Sequence, residues 1–137
     1  MTIVPRLLFA IFVMLHGVVH LLYAGQSRRL FELRPGMTWP DDSWTLSKLF
    51  GADITRTLAA IAYVLAAIGF VAGGIGLLLG PAWGRLLVAG AAAFSSLSVL
   101  LFWDGKMQKL ADQGLVALII NAAIVAAVLI PQWPSPE

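Results

Sequence analysis

The chain has 137 residues, 60% of them hydrophobic and 12% charged, with a mean hydropathy of +0.89 and a formal net charge of +2. That balance is far from a water-soluble domain. The absence of cysteine removes disulfides, thiolate metal sites and thiol redox chemistry.

A helix needs roughly 20 mostly apolar residues to cross a hydrocarbon core of about 30 Å. Four stretches qualify, at 4–24, 56–80, 83–103 and 114–131. They predict an all-α polytopic membrane protein, a single domain over 1–137 built as an up-down bundle of four transmembrane helices. The first span has the outline of a signal peptide, because Arg6 precedes an apolar run that ends at Ala24-Gly25. His16, His20 and Tyr23 inside the run argue against cleavage. The two histidines stand one helical turn apart. Ionisable groups within a span are costly, so the pair marks a site.

Loop 25–55 follows. Pro35-Gly36 and Trp39-Pro40 read as turns. Ser43 is placed to cap a short amphipathic helix over 44–50, with Trp44, Leu46 and Phe50 on its apolar side and Gly51 at its end. Asp53 then caps the second span. The short helix either lies on the membrane or covers the mouth of the bundle, as loops of this length often have a function.

The second span repeats small residues at Ala59, Ala62, Ala66, Gly69, Gly73, Gly76 and Gly80. Such a face lets backbones approach closely in lipid. It predicts packing against a neighbouring span, with a homodimer through Gly69, Gly73, Gly76 and Gly80 as the alternative. Pro81 separates the second and third spans. Ala89, Ala93 and Ser96 on the third offer a partner for the small face. Asp104-Gly105 reads as a turn and Asp112 as a cap, while Gly114, Ala117 and Asn121 share a face of the fourth span. Pro131, Pro134 and Pro136 end that span and extend the tail.

Arg28, Arg29, Arg34, Lys48, Arg56, Lys106 and Lys109 flank the two connectors on one side, against Arg6 and Arg85 on the other. The positive-inside rule puts both connectors in the cytoplasm and both termini outside. A patch for anionic lipid headgroups is the second reading of this charge. Trp39 and Trp44 in the loop, Trp103 at the end of the third span, and Trp83 and Trp133 at the outer ends fit an aromatic belt.

Depth gathers the polar residues. Counting at 1.5 Å per residue, His20 lies roughly 8 Å and His16 roughly 14 Å inside the cytoplasmic end. Tyr63, Ser96 and Asn121 fall at about 9 to 11 Å, with Ser95 and Ser98 just above and below. The outer half of the bundle carries almost no polar side chain. Each serine has a plainer role open to it, bonding its own helix backbone, and Asn121 could simply join two helices.

Arg6 near the start, Gly17-Val18-Val19-His20-Leu21 late in the first span, and the long segment before the second resemble the DoxX-like small four-helix bacterial membrane proteins. This chain has histidine where that pattern has Gly-x-x-Lys-Leu. The resemblance implies a bacterial inner-membrane location and, through relatives linked to quinone oxidation, a quinone-like ligand.

The expected function is binding of a lipophilic small molecule with a polar head, such as a quinone, an isoprenoid or a lipid. His16, His20, Tyr23, Tyr63, Ser96 and Asn121 would meet the head, with Arg56, Trp103 and Asp104 at the rim. No motif names a reaction, a catalytic residue or a cofactor. The bilayer and the ligand are the expected partners, and nucleic acid is not. The alternatives are an accessory subunit of a larger complex, a proton-coupled transporter protomer titrating at His16, and a dimer that binds metal or haem through its histidines.

Overall fold

The computed structural model describes residues 3–130; the expectations for Pro131, Trp133, Pro134 and Pro136 lie outside the described residues. The chain runs through α1 (Ile3–Ser27), a short α2 (Leu46–Phe50), α3 (Ala52–Leu79) and α4 (Pro81–Phe102). A 3₁₀ turn (Met107–Lys109) and a π-helical turn (Ala111–Leu115) then lead into α5 (Val116–Leu129). Four segments are long and apolar enough to cross a membrane: α1, α3, α4 and the stretch Ala111–Leu129. Their outward faces carry large apolar side chains, among them Leu8, Leu15, Ile68 and Leu97, while His16, His20, Ser95 and Asn121 are buried. Apolar groups outside and polar groups inside is the arrangement expected of an integral membrane protein, because lipid offers buried polar atoms no partner.

The four spans form a bundle around a core that includes Val13, Phe70, Val88 and Ile124. α3 packs between α1 and α4, and α5 packs on α4. Glycine makes this possible on both sides of α3. Towards α4, a Cβ on Gly73 would lie 2.6 Å from a Val88 methyl, and one on Gly69 3.1 Å from the Ala91 Cβ. Towards α1, a Cβ on Gly74 would lie 2.9 Å from the Ala10 carbonyl oxygen, and one on Gly17 2.5 Å from the Phe70 Cβ. The closest backbone-to-backbone approach is at Gly84, where a Cβ would meet the Gly76 carbonyl carbon and the Leu77 nitrogen.

The face of Gly69, Gly73, Gly76 and Gly80 is therefore occupied by α4 of the same chain, and a second copy would have to displace that helix to use it. The α4 face in contact is Gly84, Val88 and Ala91, rather than the expected Ala89, Ala93 and Ser96. The true stripe includes a valine, which a search for small residues passes over.

Loop 28–51 is pinned at both ends. α1 ends in a Schellman-type closure: the Leu30 N–H donates to the Gly25 carbonyl and the Arg29 N–H to that of Gln26. Arg29 takes the left-handed position, φ +58°, where glycine is usual. That conformation costs roughly 1 kcal/mol. The arginine offsets this by donating to the carbonyls of Gln26, Thr38 and Trp39 and pairing with Asp41 at 2.8 Å. Gln26, fully buried, donates to the Met37 and Trp39 carbonyls and accepts from the Leu33 N–H.

Pro35-Gly36 forms a turn closed from Met37 N–H to Arg34 O, with Gly36 at φ +74°. A second turn, around the cis Trp39-Pro40 bond, closes from Asp41 N–H to Thr38 O. At the far end, the Ser43 hydroxyl, the Trp44 indole and the Trp44 N–H donate to the carbonyls of Leu101, Leu100 and Trp103. Those are the orphan acceptors at the C-terminus of α4. Ser43 also accepts from the Leu46 N–H, while α2 begins only at Leu46, with Thr45 in the N-cap position.

Two capping expectations need correction. Asp53 lies inside the first turn of α3, after Gly51 at φ +83°. Asp112 lies within the π-helical turn and pairs with Arg34 at 3.0 Å instead of capping.

Two predictions follow from this packing and this clamp. Gly84→Ala should lower the unfolding midpoint in detergent, by an amount equivalent to about 1–3 kcal/mol of overpacking. Gly90→Ala, with open space around it, should leave the midpoint unchanged or slightly higher. The second concerns Asp41, whose carboxyl is held below its ordinary range by the hydrogen bond from Arg56, burial opposing, with Arg29 adding to it. A depressed carboxyl contributes stability at neutral pH that is lost as pH falls through its folded-state pKa. Amide exchange of Trp39–Ser43, corrected for its intrinsic rate, should therefore accelerate below about pH 4. Asp41→Asn should flatten that dependence.

Candidate functional site

His16, His20, Ser95 and Asn121 close a hydrogen-bond circuit between α1, α4 and α5. Its direction follows from one backbone atom. His20 Nδ1 lies 2.9 Å from the His16 carbonyl oxygen, which only accepts, so Nδ1 carries the proton. In the neutral ring Nε2 is then an acceptor, and the Ser95 hydroxyl donates to it at 2.6 Å. Ser95 Oγ in turn accepts from Asn121 Nδ2 at 2.9 Å, and Ser96 Oγ accepts from the same amide at 3.1 Å. Asn121 Oδ1 is left facing His16 Nε2 at 2.7 Å, which must donate. The circuit thus places a proton on His20 Nδ1 and on His16 Nε2.

The rings pack as tightly as the polar atoms pair. Phe70 of α3 meets His16 edge-on, with centroids 4.9 Å apart, and lies 5.2 Å from His20. Tyr63, one layer nearer the loop, sits 5.8 Å from His20 and stacks on Tyr23 at 5.4 Å. Trp39 reaches in from the loop and stands perpendicular to both tyrosines, 5.4 Å from each.

Beside this cluster, between α1 and α5, lies a cavity of about 160 Å³. His16, His20, Tyr23 and Tyr63 line its polar side; Val19, Val99, Val116, Ala117, Ile120 and Gly114 line the rest. No charged side chain faces it. Val19 and Val116 are exposed on the outer surface, so the mouth opens sideways towards lipid. Gly114 is at φ +127°, and a Cβ there would lie 2.7 Å from a Val99 methyl. The π-helical turn that contains it lets the fourth span bend at the cavity wall, a local feature common at functional sites. The Tyr63 hydroxyl is buried with no hydrogen-bond partner among the described residues. Buried polar atoms are rarely left so, and an orphan invites a water or a ligand atom.

The structure brings His16, His20, Ser96 and Asn121 into one network and places Tyr23 and Tyr63 on the cavity. Arg56 and Trp103 do not rim it. Arg56 grips Asp41 with two bonds of 2.6 Å, and the Trp103 indole donates to the Lys106 carbonyl. Asp104 forms the expected turn by accepting from the Lys106 N–H, and it lines a separate hollow of about 200 Å³ under the loop, beside Trp39, Lys109 and Gln113. Ser98 bonds only the Phe94 carbonyl of its own helix.

Sequence reasoning missed Ser95 as the hub, because adjacent helical residues differ by 100° and only the packing angle of α4 decides between Ser95 and Ser96. It also assigned Trp39 to the interfacial belt, whereas the ring is 3% exposed. Gln26 carried a usable signal, a polar residue with no solvent role just past an apolar run.

Both histidine Nε2 atoms and His20 Nδ1 are engaged in the circuit, and no group of three His, Cys, Asp or Glu suited to a metal occurs among the described residues.

Ser95→Ala should leave His20 Nε2 and one Asn121 N–H without a partner, lowering the unfolding midpoint by an amount equivalent to about 1–2 kcal/mol, near the upper range for polar contacts in membranes. Ser98→Ala should cost much less. Equal shifts in the two variants would show that the circuit is not what Ser95 contributes. Compared with known proteins, the chain matches no family model, no curated protein and no solved structure.

Proposed function

We propose that this membrane protein binds a lipophilic small molecule by its polar head, in the cavity between α1 and α5. The observation that carries the reading is the buried Tyr63 hydroxyl, unpartnered among the described residues, on a cavity that is otherwise neutral and opens towards lipid.

Size narrows the head. A cavity of about 150 Å³ holds a benzene molecule. The present one, about 160 Å³, takes a single ring or a group of that bulk, with any longer tail leaving past Val19 and Val116 into the bilayer. The lack of charged lining favours a neutral, oxygen-bearing head, as in a quinone or a hydroxylated isoprenoid, over a phosphate or carboxylate. An ion would lose its hydration there without gaining a counter-charge. The charge distribution supports a cell-membrane protein with the loop end in the cytoplasm and both termini outside.

The test is native mass spectrometry of gently solubilised protein. Ala117→Phe fills the cavity without touching the hydrogen-bond circuit. A discrete adduct on the wild type that disappears in Ala117→Phe and persists in the lipid-facing control Ile11→Ala is the expected result. Bare wild-type protein, or an adduct indifferent to Ala117→Phe, would overturn the proposal.

A further inference from the structure

Two hollows lie on the opposite flank of α1, along its seam with α3. At the loop end a hollow of about 370 Å³ is lined by Ser27, Arg28, Arg29, Asp53, Arg56 and Thr57. Deeper along the same two helices runs a groove of about 330 Å³ with wholly apolar walls, including Leu21, Val64 and Ile68, over a floor at Ala67. Leu21 and Arg28 lie two turns apart on one face of α1, with the Phe31 ring packed over Gly25 between them, and Thr57, Val64 and Ile68 recur on one face of α3. Val64 lies about 10 Å below Thr57 along the helix axis. A cationic hollow at headgroup depth above an apolar groove has the outline of one lipid molecule.

Charge selects the kind of lipid. Arg29 and Arg56 share Asp41, and Arg56 also lies 3.7 Å from Asp53. Arg28 has no carboxylate partner among the described residues and donates to the Thr57 hydroxyl at 3.1 Å. Three guanidiniums against two carboxylates leave one positive charge, held by an exposed arginine with donors to spare. The amino-terminal end of α3, the positive end of its dipole, sits at the same hollow. One surplus positive charge matches one phosphodiester. Guanidinium and phosphate pair through two parallel bonds, so arginine suits the role better than lysine would.

We infer that the α1–α3 seam is a binding site for a single anionic phospholipid, its phosphate at Arg28 and one acyl chain in the groove over Ala67. This site is independent of the neutral cavity between α1 and α5.

The experiment is native mass spectrometry of the full chain titrated with phosphatidylglycerol or with phosphatidylcholine of the same acyl chains. A single phosphatidylglycerol should be retained at activation energies that strip phosphatidylcholine. Arg28→Gln keeps a side-chain donor for Thr57 and should weaken retention roughly five- to tenfold, the effect of about one basic residue at a membrane surface. Lys48→Gln, a cation elsewhere at the loop end, should leave retention unchanged. Ala117→Phe should also leave it unchanged, which separates this site from the other cavity. Equal retention of the two lipids, or equal losses in Arg28→Gln and Lys48→Gln, would reduce the effect to diffuse electrostatics and overturn the inference. Full competition by inorganic phosphate at the lipid's own concentration would also overturn it, by showing that a soluble anion suffices.

Discussion

His16 Nε2 and Asn121 Oδ1, 2.7 Å apart, join the first and last spans of the bundle. The bond exists because lipid gives an imidazole or an amide nothing else to pair with. The same constraint propagates through Asn121 to Ser95, from Ser95 to His20, and back to the His16 carbonyl. Each donor is committed once its neighbour is, so the circuit has one direction.

The circuit ties α5 to α1 at the depth of His16 and Asn121. Towards the loop, the fourth span bends at Gly114, which lines the cavity. The glycines of α3 admit α1 and α4 to close backbone approach on its two sides. Tyr63, also on α3, lines the cavity, and its hydroxyl has no hydrogen-bond partner among the described residues.

The two flanks of α1 present different chemistry. One carries His16, His20 and Tyr23 towards a neutral cavity; the other carries Leu21 and Arg28 along an apolar groove that ends in guanidinium groups. The two hollows lie on different faces of the helix, and loop 28–51 is tied to its C-terminal end through Gln26, Arg29 and Asp41.

Much of this was legible in the sequence. Hydropathy determined four spans to within a few residues, because crossing a bilayer demands length and apolarity whatever the packing. The depth of His16, His20, Ser96 and Asn121 followed from a rise of 1.5 Å per residue, a property of the helix alone. The turns at Pro35-Gly36 and Asp104-Gly105 followed from local backbone chemistry. Rotation and partnership were decided only by the tertiary structure. Ser95 rather than Ser96 became the hub because α4 presents Gly84, Val88 and Ala91 to α3, an angle set by contact between two helices. Trp39 left the interface for the interior because Gln26 and Arg29 bind the carbonyls around it. Helical period fixes how deep a residue lies, but which way it faces depends on its neighbours.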